Sequence, residues 1–79
     1  MPTIVNVGNG ALKLKIYARD HEPPHVHAEG GGASIRIDLL TLDPLEDQTA
    51  FSKATVRRII ELVNEHRELL MEAWNELHG

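Results

Sequence analysis

The chain contains no cysteine. That excludes a disulfide staple and any thiolate metal ligand, and it suits a reducing compartment. No apolar run approaches the roughly 20 residues needed to cross a bilayer, so no membrane span is expected. The opening residues Met1-Pro2-Thr3-Ile4 lack the basic and apolar segments of a secretory signal, and the expected location is cytoplasmic. An excess of positive charge is also missing. The formal net charge is −4, which argues against non-specific nucleic-acid binding, because that affinity comes from clustered lysine and arginine. Nine of the 12 acidic residues fall from Ile37 onward, so the C-terminal element is expected to be acidic. There is no repeat and no low-complexity stretch.

What is present fits one domain over residues 1–79. The hydrophobic fraction of 42% supports a small core. A chain this short buries only about 60% of the surface its unfolded form exposes, so its stability is expected to be modest. Thr3–Val7 is a β-rich run followed by Asn9-Gly10, a strong hairpin signal. A two-residue loop there sets Val7 opposite Leu12, Val5 opposite Leu14 and Thr3 opposite Ile16. Leu12–Ala18 then alternates, with Leu12, Leu14, Ile16 and Ala18 inward and Lys13, Lys15 and Tyr17 outward.

After a loop over Arg19–Pro24, a third strand runs from His25 to about Glu29 and a fourth over Ala33–Leu39. Gly30-Gly31-Gly32 turns the chain between them; with no Walker lysine and no following helix, it reads as a tight hairpin rather than a phosphate cradle. A one-residue slip flips every side chain. The hydrophobic pattern therefore selects a two- or four-residue loop, which pairs His25 with Asp38 and His27 with Arg36. Thr41–Ala50 reads as irregular, with a short edge strand as a further option.

From Ser52 the apolar period becomes 3.6. Val56, Ile59, Ile60, Val63, Leu70, Ala73, Trp74 and Leu77 form one stripe, with Ser52 as N-cap and Gly79 as stop. The expected fold is α+β: a four-stranded antiparallel β-meander with a long C-terminal helix on one face. A break near residues 64–66 is the alternative to a continuous helix. The face left open then carries Lys15, Tyr17, His25, His27, Glu29, Arg36 and Asp38.

Three of the five histidines lie in the run Asp20-His21-Glu22-Pro23-Pro24-His25-Val26-His27. Proline fixes φ, so Pro23-Pro24 is a stiff lead-in. Residues two apart on a strand share a face, which sets the His25 and His27 imidazoles side by side. Imidazole and carboxylate groups are the ligands of zinc, and two histidines with one carboxylate suit iron or manganese. The candidate metal ligands are Asp20, His21, His25 and His27. For acid–base catalysis the candidates are His25, His27 and Asp38. The plainer reading is a polar sheet face in which His25–Asp38 is an ordinary cross-strand pair. His66 and His78 carry no site role on this reading. Glu61, Glu65, Glu68, Glu72 and Glu76 line one side of the helical stretch, either as a solvated face or as a docking strip for a basic partner through Glu65, Glu68 and Glu72.

Pro2-Thr3-Ile4, Ile16-Tyr17 leading into the Asp-His-Glu-Pro-Pro-His-Val-His run, and Glu68-Leu69-Leu70-Met71-Glu72-Ala73-Trp74 together resemble a family of small bacterial proteins, domain of unknown function 4160. The resemblance covers nearly the whole chain and points to Asp20, His21, Pro23, Pro24, His25 and His27 as site residues. It also implies a small cognate protein encoded nearby, as in a toxin–antitoxin-like pair. Two functions follow as expectations. One is a binding and regulatory module that pairs with that partner; the other is a small metal-dependent hydrolase or nuclease using His25 and His27. Open sheet edges make a homodimer a further expectation.

Overall fold

The computed structural model describes residues 3–7, 12–17 and 20–78, the first segment by its backbone alone. Strands β1 (Thr3–Val7), β2 (Leu12–Ile16), β3 (His25–Gly30) and β4 (Ala33–Asp38) are followed by helices α1 (Lys53–Glu65) and α2 (Arg67–His78). The sheet is antiparallel in the order β1-β2-β3-β4. β1 meets β2 with Thr3 opposite Ile16, Val5 opposite Leu14 and Val7 opposite Leu12. The Asn9-Gly10 turn, Ala18, Arg19 and the Gly79 stop lie outside the described residues.

Alternation decides which side of the sheet is covered. Leu14, Ile16, Val26, Ala28, Ile35, Ile37 and Leu39 are buried, and they meet Ile59, Leu62, Val63, Leu70, Ala73 and Trp74 of the helices. The β3–β4 register follows the same logic and pairs His25 with Asp38 and His27 with Arg36, as the hydrophobic pattern requires. Gly30 opposes Ala33, so the loop is the two residues Gly31 and Gly32. Both hold positive φ, 56° and 81°, a conformation that glycine adopts without a Cβ penalty.

The C-terminal region is not one continuous helix. It divides at His66, whose φ of −105° and ψ of 13° leave helical geometry. The break falls at a gap in the apolar stripe: after Val63, the next inward positions fall on His66 and Arg67. His66 turns its ring back, and Nδ1 donates to the Leu62 carbonyl at 2.8 Å. Arg67 donates to the carbonyls of Leu39 at 2.8 Å and Leu40 at 2.7 Å, tying the start of α2 to the end of β4. Ser52 caps α1 by accepting from the Thr55 backbone N–H at 3.1 Å.

The outer edge of β4 is covered by the segment after it. Asp38 N–H donates to the Asp43 carbonyl, Leu45 N–H donates to the Arg36 carbonyl, and Pro44 bridges Ile37. Glu46 completes the cover by accepting from both the backbone N–H and the guanidinium of Arg36. The edge that would otherwise invite another strand is thus occupied from within the chain.

Candidate metal centre

Asp20 stands in the loop between β2 and β3. Its backbone N–H donates to the Tyr17 carbonyl, and its Oδ2 accepts the Tyr17 backbone N–H at 3.1 Å. This local turn aims Oδ1 at the start of β3. There the His27 Nε2–H donates to Oδ1 at 3.0 Å, and the His25 Nε2 lies 3.6 Å from the same oxygen. Burial alone would push the Asp20 carboxyl up, but the His27 hydrogen bond and the Tyr17 backbone N–H outweigh it and hold the group below the ordinary carboxylate value.

The tautomer of His25 is fixed by its other nitrogen. Nδ1 stands 2.8 Å from the Pro23 carbonyl oxygen, which can only accept, so Nδ1 carries the hydrogen. In the neutral ring Nε2 is then a bare lone pair facing a carboxylate oxygen. Two lone pairs opposed in a poorly solvated pocket are unfavourable until a proton or a metal ion comes between them. A carbonyl behind one imidazole nitrogen is also the usual way a metal-binding histidine is oriented.

Ligand atoms of Asp20, His25 and His27 all lie within 4.8 Å of one another. At metal–ligand distances of about 2.1 Å, the ligands of a tetrahedral ion stand about 3.4 Å apart. The two separations from Asp20 Oδ1, 3.0 and 3.6 Å, bracket that value.

The two imidazoles are not equivalent. His27 keeps 24% of its side chain exposed, whereas His25 keeps 5%. The expectation that both rings project into solvent is therefore corrected for His25: α2 brings Trp74 to within 5.5 Å of its ring and seals it. The rings do stay together, with centroids 5.1 Å apart. His27 is steadied on its other side by Tyr17, whose ring meets it edge-on at 4.9 Å. Tyr17 O–H donates to Glu29 Oε2 at 3.2 Å, and Lys15 Nζ donates to Oε1 at 3.1 Å. The Lys15 hydrogen bond, aided by Tyr17 and opposed by partial burial, lowers the Glu29 carboxyl.

Of the sequence-derived candidates, Asp20, His25 and His27 come together. His21 does not join them; its side chain is exposed in the loop. Asp38 sits opposite His25 in register, but its Oδ1 accepts the backbone N–H groups of Leu40 at 2.7 Å and Thr41 at 3.1 Å, so it builds the turn after β4. Glu65, Glu68 and Glu72 are all exposed. The break at His66 puts Glu65 on α1 and the other two on α2, so the evenly spaced strip of a single helix is not formed. Pro23 was named as a site residue by the family resemblance, but the role of its carbonyl, a backbone group, carries no residue signal; Trp74 was marked by its apolar spacing only as core.

Among the described residues, no helix is long and apolar enough to cross a membrane. No curated protein and no solved structure matches the chain. A family model described as a domain of unknown function, DUF4160, matches residues 12–75, from the start of β2 into α2, and the chain belongs to that family.

Proposed function

We propose that the chain is a small metal-dependent hydrolase in which Asp20, His25 and His27 hold a divalent zinc, iron or manganese ion. One observation carries the reading: Pro23 fixes the His25 tautomer so that its Nε2 lone pair faces Asp20 Oδ1 at 3.6 Å, with the Nε2 of His27 on the same oxygen at 3.0 Å. Binding would displace the His27 Nε2 proton. Three protein ligands leave at least one position free, and a partly exposed His27 leaves that side open to water. An ion held by these three residues would lower the pKa of a bound water toward neutrality and so supply a nucleophile.

The test is titration of untagged, metal-stripped protein with zinc, manganese and cobalt by calorimetry, followed through the fluorescence of Trp74. One ion per chain is expected, with cobalt quenching the indole. No heat and no quenching at neutral pH in folded protein would sink the reading.

A second reading, pairing with a small cognate protein in a toxin–antitoxin-like system, is favoured by a different feature. Leu40 and Leu69 are 56% and 51% exposed, and Arg67 ties the Leu40 carbonyl to the start of α2. Exposed apolar side chains mark a contact surface where they adjoin in one patch. Co-expression with the neighbouring small protein should give a complex that Leu40→Asp and Leu69→Asp weaken at least tenfold.

A further inference from the structure

A groove of about 650 Å³ runs along the sheet face from His27 to the glycine turn, lined by Lys13, Lys15, Glu29 and Ser34. Its walls follow from register. Lys15 lies opposite His27, Lys13 opposite Glu29, and Glu29 opposite Ser34, so these side chains share one face. His27 belongs both to this groove and to the Asp20–His25–His27 cluster.

The charges in the groove are unequal in availability. Lys15 is matched by Glu29 at 3.1 Å, and the second Glu29 oxygen is occupied by Tyr17. Arg36, one strand over, is matched by Glu46. Asp20 accepts from the His27 imidazole, and the His25 Nε2 faces it at 3.6 Å. Lys13 is exposed and makes no ion pair among the described residues. Resting on the metal reading above, a divalent ion adds two positive charges, Asp20 removes one and Lys13 adds one. The balance is about two positive charges that no group among the described residues offsets.

We propose that this groove receives a phosphate monoester, a dianion near neutral pH, with one phosphoryl oxygen at the ion and another at the Lys13 ammonium. Lys13 is a diagonal neighbour of His27, and such positions stand about 7–8 Å apart between Cα atoms, a span that a long lysine side chain and a phosphoryl group fill together. The polar floor gives no grip to an apolar acyl chain, and the side-chain-free Gly31 and Gly32 leave room for the rest of the ester. In the step itself, the oxygen of the ion-bound water attacks phosphorus and the P–O bond to the alcohol breaks. The bonding pair leaves on the alcohol oxygen, which takes up the proton that the water gives up. Inorganic phosphate and an alcohol result, with no redox partner.

The experiment uses the full chain loaded with zinc or manganese. p-Nitrophenyl phosphate is the substrate probe, inorganic phosphate the inhibitor and p-nitrophenyl acetate the contrast. Expected are turnover of the phosphate ester, competitive inhibition by phosphate, and a Lys13→Glu variant in which KM and the inhibition constant rise at least tenfold. Cobalt quenching of Trp74 should be unchanged in that variant. Lys13→Gln should fall between the two. If the ion binds but phosphate neither inhibits nor depends on Lys13, or if only the acetate ester is cleaved, the groove proposal fails while the metal reading stands. If no ion binds, both fail together.

Discussion

His25 shows how one residue can be core and ligand at once. Its ring is nearly sealed by Trp74, its Nδ1 is tied to Pro23, and its Nε2 is the one polar edge left to face Asp20. Truncating it would mix two effects, loss of a ligand and a cavity beneath Trp74. His25→Phe separates them, because a ring of similar size still fills the site. Zinc affinity should fall at least a hundredfold by calorimetry while urea unfolding of the metal-free variant changes by less than about 1.5 kcal/mol. A variant that unfolds like wild type and still binds zinc tightly would remove His25 from the ligand set. The strand alternation was enough to put His25 beside His27 and Asp20 within reach. It was not enough to show that Trp74 would close over one of the two imidazoles, because that contact depends on where the helix breaks.

At the scale of elements, the strands were more legible than the helices. Alternation over Ile35, Ile37 and Leu39 left one β3–β4 register that buries apolar groups, and the observed pairing of His25 with Asp38 follows it. The division at His66 was written in the polar gap after Val63, but a break and a continuous helix with two polar residues inward share that pattern. What decides is Arg67 finding the carbonyls of Leu39 and Leu40, a long-range contact. The covering of the β4 edge was legible only as the option of a short edge strand in Thr41–Ala50, which the Pro44 bridge to Ile37 meets in a single residue pair; the part played by Glu46 was not, since that stretch has no periodicity.

That cover gives a pH dependence whose sign can be worked out. Burial would raise the Glu46 carboxyl, but hydrogen bonds from the Arg36 side chain and backbone hold it below its ordinary value of 4.5. A carboxyl lowered in the folded state stabilises the fold above its unfolded value and loses that contribution as pH falls through the folded one. Arg36 and Glu46 keep 43% and 34% of their side chains exposed, so screening limits the effect to about 0.5–1 kcal/mol. Glu46→Gln should be less stable than wild type by that amount in urea titrations at pH 7. The two curves should converge as pH falls below 4.5. An unchanged gap at low pH would show that the contact works through packing rather than charge.

For the whole molecule, the proposed centre draws on a loop and a strand, with a helix packed against it. Asp20 comes from the β2–β3 loop, His25 and His27 from β3, and His25 touches Trp74 of α2. Those three parts hold the geometry only in the folded chain, so an ion bound there favours the folded state by mass action. At a free ion concentration a hundred times Kd the gain is about 2.7 kcal/mol. For a domain of this size each kcal/mol shifts Tm by about 4–8 °C, which gives a rise of about 10–20 °C. Thermal unfolding of wild type with and without zinc should show that rise, and excess EDTA should abolish it. Asp20→Asn should melt at one temperature in both conditions, because an amide oxygen is a poor replacement for the carboxylate that both imidazoles face. A rise that survives in Asp20→Asn would mean that zinc binds elsewhere, since exposed His21 and the C-terminal acids also attract divalent ions. A rise confined to wild type ties the stabilisation to the three converging side chains.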